Sequence, residues 1–128
     1  MSGGPVLTSS IPVLRISEYP LARAFWTERL GFRVIEEGGD PPRFGIFARD
    51  RAEVFLNGWD GADPDPGAGW RAYFHTDDVE ALAASITAAG ITLANGPETM
   101  PYGVREIEVL DPDGNRLCFG QVLQTTPT

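Results

Sequence analysis

The sequence predicts an α+β fold made of two copies of a βαβββ unit, whose curved sheets leave a half-open, barrel-like cleft. Three observations carry that expectation. Two helix-period segments each stop at a glycine, Gly31 and Gly90, 59 positions apart (90 − 31). Two aspartate turns, at Asp50 and Asp111, lie 61 apart (111 − 50), each between two short apolar strands. Between the copies runs a Gly/Pro/Asp stretch, GWDGADPDPGAG over 58–69, with no apolar period. The expected organisation is a flexible arm over 1–10, a single domain over 11–122 and a loose tail over 123–128. The two repeats span 11–58 and 70–122, joined by the loop 59–69.

Each element has a local reason. Ile11 to Ile16 is apolar enough for a strand, and Tyr19-Pro20 ends it, with proline suited to the first turn of a helix. From Leu21 to Leu30 the residues Leu21, Ala24, Phe25 and Leu30 recur at helical spacing, and Gly31 stands where a left-handed C-cap is expected. Phe32 to Ile35 restarts as a strand and turns at Glu37 to Pro42. Phe44 to Ala48 and Glu53 to Asn57 form a hairpin about Arg49-Asp50-Arg51. In the second copy Trp70 to Thr76 is a strand and Asp77-Asp78 supplies an N-cap. Val79 to Ala89 is a helix with Val79, Leu82, Ala83 and Ile86 on one stripe. Ile91 to Leu93 starts a strand, Val104 to Leu110 alternates as another, and Asp111 to Gly114 turns into the last, Asn115 to Val122.

Composition narrows the function classes. A chain of 128 residues buries one real core without disulfides. No apolar run approaches the ~20 residues of a bilayer span, so no membrane role is expected. MSGGPVLTSS has neither a basic region nor an apolar one, so no export signal is expected. One cysteine, Cys118, cannot close an intrachain disulfide, which fits a reducing cytoplasm. The net charge of −8 repels phosphate backbones, so nucleic acid is not an expected partner. That sign favours a cationic ligand, but solubility alone accounts for it more readily.

Ile11-Pro12-Val13-Leu14, the run Phe25-Trp26-Thr27-Glu28-Arg29-Leu30-Gly31-Phe32 and the turn Asp111-Pro112-Asp113-Gly114-Asn115 carry a family likeness. Together they resemble the vicinal-oxygen-chelate superfamily of glyoxalases, bleomycin-resistance proteins and extradiol dioxygenases. The run from Phe25 to Phe32 is similar to the bleomycin-resistance branch. The likeness covers Ile11 to about Gln121. It implies that metal-holding members use four inward side chains, whose matching positions here are Ile11, Phe55, Arg71 and Cys118. Isoleucine and phenylalanine donate no electron pair, and arginine brings a fixed positive charge. If the fourth strand were shifted by one, Val54 would stand there and would not ligate either. A register-free inventory agrees: with a single histidine, His75, a site needing two histidines cannot form within one chain. No metal and no cofactor is therefore expected.

Strand alternation places Arg71, Tyr73 and His75 toward the cleft, with Glu53, Phe55 and Asn57 facing it from the fourth strand and Ile11, Val13 and Arg15 from the first. Aromatic walls with a few charges suit a planar or cationic ligand. The resemblance further implies aromatic clamps about a flat drug moiety at Tyr73 and Tyr102. A third clamp position falls at Glu36, which cannot stack, and Phe44, Trp59 or Trp70 are its possible substitutes. The ligand-binding candidates are thus Glu53, Phe55, Asn57, Trp59, Arg71, Tyr73, His75 and Tyr102, with no catalytic residue assigned. Tyr73 and Phe55 are equally compatible with plain packing, His75 fits a structural hydrogen bond better than a general base, and Glu53 could pair with Arg71. Trp26 reads as packing, and Cys118 as a buried small hydrophobe. Pro12 in the first strand, together with the resemblance, implies a homodimer with exchanged arms. The function expected is metal-free sequestration of a small, flat, hydrophobic or cationic molecule of the antibiotic class. The alternative is a metal-independent isomerase or lyase using Glu53 or His75 as general base.

Overall fold

The structure, a computed structural model, describes residues 4–59, 67 and 69–123. Most of the expected arm 1–10 is described; much of the loop 59–69 and most of the tail lie outside the described residues. The elements run β1 (Val13–Arg15), α1 (Tyr19–Ala24), a π-helical turn (Phe25–Arg29), β2 (Arg33–Gly38), β3 (Phe44–Arg49) and β4 (Ala52–Asn57). The second half follows as β5 (Trp70–His75), α2 (Val79–Ala88), β6 (Asn95–Thr99), β7 (Val104–Leu110) and β8 (Arg116–Val122). The first sheet has the order β1-β4-β3-β2 and the second β5-β8-β7-β6, so the second copies the first strand for strand. In each, the outer strand before the helix pairs in parallel with the last strand, and the others are antiparallel.

Both expected C-cap glycines have positive φ, 75° at Gly31 and 93° at Gly90. Asp78 caps α2 by accepting from the amide of Ala81 at 3.0 Å. Two elements differ from expectation. The first helix is shorter and passes into the π turn, where the Leu30 amide reaches back to the Phe25 carbonyl. This wider turn accompanies complete burial of Trp26. Ile91 to Leu93 is not a strand. Ile91 is tied to the Ile86 carbonyl and buried, sealing the exit of α2. The strand is β6, whose Pro97 is tolerated because β6 is an edge.

One core joins both halves. Val54 and Leu56 of β4 and Ile107 and Val109 of β7 are fully buried, on the faces that the helices cover. Trp26 packs edge-on against Phe32 at 4.8 Å and against Phe74 of β5 at 6.3 Å, which bonds the first half to the second. The turn Asp111 to Asn115 adds a polar clasp. The amide and hydroxyl of Ser17 donate to the Asp113 carboxylate, the hydroxyl at 2.6 Å, and Asn115 Nδ2 donates to the Arg15 carbonyl at 3.0 Å. Among the described residues, no helix is long and apolar enough to cross a membrane.

Candidate functional site

With one face of each sheet in the core, the alternate residues are presented on the other. On β4, Glu53, Phe55 and Asn57 lie opposite the buried Val54 and Leu56. Phe55 pairs in register with Val13 of β1. On β5, Arg71, Tyr73 and His75 alternate with the buried Ala72 and Phe74.

The N-terminal sheet gathers an aromatic cluster. The Phe44 ring lies parallel to Phe55 at 5.9 Å and edge-on to Trp59 at 5.3 Å. Asn57 Oδ1 accepts from the Trp59 amide at 2.9 Å, and the Arg43 guanidinium sits 5.4 Å from the Trp59 ring centre. Phe44 lies so close over Gly38 that any Cβ there would strike its ring. Glu36 is exposed beside a bulge in β2 and takes no part.

The C-terminal sheet carries a tighter arrangement. Its organiser is β7, whose sequence Val-Arg-Glu-Ile-Glu-Val-Leu puts Ile107 and Val109 in the core and Glu106 and Glu108 on the opposite face. Glu106 is 4% exposed, and its Oε2 accepts from both Tyr73 and Tyr102, each at 2.8 Å. Glu108 accepts from the Trp70 indole at 2.8 Å and from Arg116 at 2.7 Å. Trp70 lies 5.0 Å from Tyr73, and His75 lies 5.2 Å from it. Gly120 of β8 makes room for the Tyr73 ring: a Cβ would stand 2.9 Å from Tyr73 Cζ. Burial, followed by the bond to Glu106, raises the Tyr73 phenol well above its usual range and that of Tyr102 to about 12. Cys118 is fully buried beneath, and burial, then the charges of Glu106 and Glu108, push its thiol up to about 12.

The eight candidates therefore divide between two sheets. Glu53, Phe55, Asn57 and Trp59 belong to the first and Arg71, Tyr73, His75 and Tyr102 to the second. Among the described residues no ring contact or hydrogen bond joins the two aromatic groups. Glu53 shares a groove of about 710 Å³ with Tyr73 and His75, floored by Phe32, Phe74 and Phe119. Glu53 forms no ion pair with Arg71 among those between described residues. Arg71 is exposed and has a partner of its own. Glu106 and Glu108 were not anticipated, although the alternation of β7 contains the signal.

The four positions that the sequence resemblance matches to a metal site, Ile11, Phe55, Arg71 and Cys118, do not suit an ion by their chemistry. Two lack donor atoms and one is a cation, which leaves a single thiol. Among the described residues no group of three or more His, Cys, Asp and Glu side chains is arranged to hold a metal.

A family model described as Glyoxalase/Bleomycin resistance protein/Dioxygenase superfamily matches residues 10–119. No curated protein matches the chain. Among solved structures, TnmS3, an antibiotic binding protein from Streptomyces sp. CB03234, is 27% identical with a TM-score of 0.72, covering 92% of this chain and 99% of that one. A bleomycin-binding protein complexed with bleomycin is 24% identical with a TM-score of 0.71, covering 90% and 98%. Lactoylglutathione lyase from Agrobacterium tumefaciens is 18% identical with a TM-score of 0.72, covering 92% and 96%. The last two likenesses concern the fold alone.

Proposed function

Because the chain belongs to the Glyoxalase/Bleomycin resistance protein/Dioxygenase superfamily, we propose that it binds and sequesters a small, flat, hydrophobic or cationic molecule of the antibiotic class without transforming it. The observation that carries this reading is the pair Tyr73 and Tyr102, both hung by their hydroxyls from the buried Glu106. Fixing a ring by its polar end orients its face for stacking and lowers the ordering cost on binding. The antibiotic-binding neighbour TnmS3 supports the ligand class.

The functional unit in this reading is a homodimer. Large apolar side chains are exposed on the sheet surfaces: Val13 (59%) on the first half, Leu110 and Val122 (61%) on the second. Apolar surface of that extent favours a cover. Each cleft then pairs the first sheet of one chain with the second sheet of its partner. Val6 and Leu7 of the arm, 79% and 98% exposed, cross to the partner.

A second reading, metal-independent proton transfer by Glu53 or His75, draws on their shared groove. Tryptophan fluorescence titrated with bleomycin and other flat antibiotics tests the first reading. Saturable quenching at micromolar ligand is expected, and silence toward every compound refutes it. Turnover in EDTA, abolished by Glu53→Gln, would establish the second instead.

A further inference from the structure

Binding a flat molecule needs only ring faces, yet the corner on the C-terminal sheet is built with more than that. Three aromatic side chains from three places in the chain, Trp70, Tyr73 and Tyr102, all donate to two glutamates spaced two apart on β7. Trp70 and Tyr102 remain 45% and 57% exposed while their polar ends are tied back.

The two glutamates differ in charge balance. Glu108 is paired with Arg116 at 2.7 Å. Glu106, nearly without solvent contact, has only neutral partners among the described residues: the hydroxyls of Tyr73 and Tyr102 and the Cys118 thiol. A buried carboxylate with no counter-ion is costly, and its field is poorly screened. A phenol donating to a carboxylate also becomes more electron-rich over its ring, which strengthens its attraction for a cation. Both effects act in the same direction at the same place.

We infer that this corner is a cation subsite, taking a protonated or quaternary ammonium group of the ligand against the faces of Trp70, Tyr73 and Tyr102, with Glu106 as its counter-charge. The inference rests on the proposed binding function and deepens it by naming the group the ligand carries. The acidic balance of the whole chain, −8, draws such a ligand toward the protein.

The probes are benzyltrimethylammonium and its uncharged carbon isostere neopentylbenzene, titrated into the full chain by calorimetry alongside a flat neutral aromatic. The ammonium compound is expected to bind on the order of tenfold or more tightly than the isostere. Glu106→Gln is expected to erase that preference, and Tyr102→Ala, at an exposed ring whose removal leaves the core intact, to weaken the cation about tenfold. Glu28→Gln, which removes one exposed charge elsewhere, should leave the preference unchanged. Equal affinity for the two probes, or a preference that survives both Glu106→Gln and Tyr102→Ala, overturns the inference. If the flat neutral compound binds and neither probe discriminates, the cation subsite falls and the binding function stands. If nothing flat binds at all, both fall.

Discussion

Asn115→Ala tests how the two halves are held in register. Asn115 is 3% exposed, and its side-chain amide donates twice, to the Arg15 carbonyl at 3.0 Å and to Asp111 Oδ2 at 2.9 Å. Alanine removes both donors and leaves a carbonyl of the first half and a buried carboxylate of the second without them. Each orphaned acceptor costs about 1–3 kcal/mol, more for the charged one, so a loss of about 2–4 kcal/mol is expected. At this chain length 1 kcal/mol corresponds to about 4 °C in Tm, giving a fall of about 8–16 °C. The loss also depends on pH. Burial already raises the Asp111 carboxyl, against the lowering effect of the Asn115 bond. A raised carboxyl contributes stability below its unfolded pKa and loses it as pH rises through the folded value. Removing Asn115 raises Asp111 further, so the gap between variant and parent should be wider at pH 7 than at pH 4. Differential scanning calorimetry at both pH values measures it. A fall of under about 2 °C at pH 7, or a gap that narrows with rising pH, would refute the clasp.

Gly120→Ala should displace the Tyr73 ring from Glu106, because the new Cβ stands against Tyr73 and Val104; ligand quenching of fluorescence should weaken about tenfold or more, and unchanged quenching would contradict the site. Cys118 should react with a thiol reagent at least ~100-fold more slowly in the native chain than in denaturant, since it is fully buried with its thiol raised to about 12. In a spectrophotometric titration Tyr102 should ionise near 12, above the usual 10.0. Its neutral form is favoured by the fold, so its contribution to stability is complete below pH ~10 and disappears as pH rises through about 12. Tyr102→Phe should remove that late step from the absorbance curve.

The repeat was legible because its punctuation is strict chemistry. Gly31 and Gly90 both adopt the left-handed conformation a C-cap needs, and Asp50 and Asp111 both mark the turn before a sheet's final strand. Face assignment on β4 and β5 was equally readable, since period-2 alternation is enforced by a core on one side. The π turn was not legible, because its apolar spacing matches that of an ordinary helix. Strand β6, Asn-Gly-Pro-Glu-Thr, has no strand-forming composition; its pairing with β7 imposes the conformation. Ile91 and Leu93 misled because alternating apolar residues also occur where a chain leaves a helix across the core. At the candidate site, matching positions singled out Tyr73 and Tyr102 but put Glu36 at the third place. Glu106 and Glu108 went unnoticed because a charged pair on an alternating strand ordinarily marks a solvated face. Only the structure shows Glu106 buried by the rings that donate to it.

In the proposed function a flat molecule is held and leaves the chain unchanged. Native mass spectrometry of the protein with a quenching antibiotic in EDTA, followed by chromatography of the released compound, tests it directly. One ligand per chain is expected, released with its original mass after hours of incubation. A released compound of altered mass or isomeric form, accumulating beyond one equivalent, would contradict it.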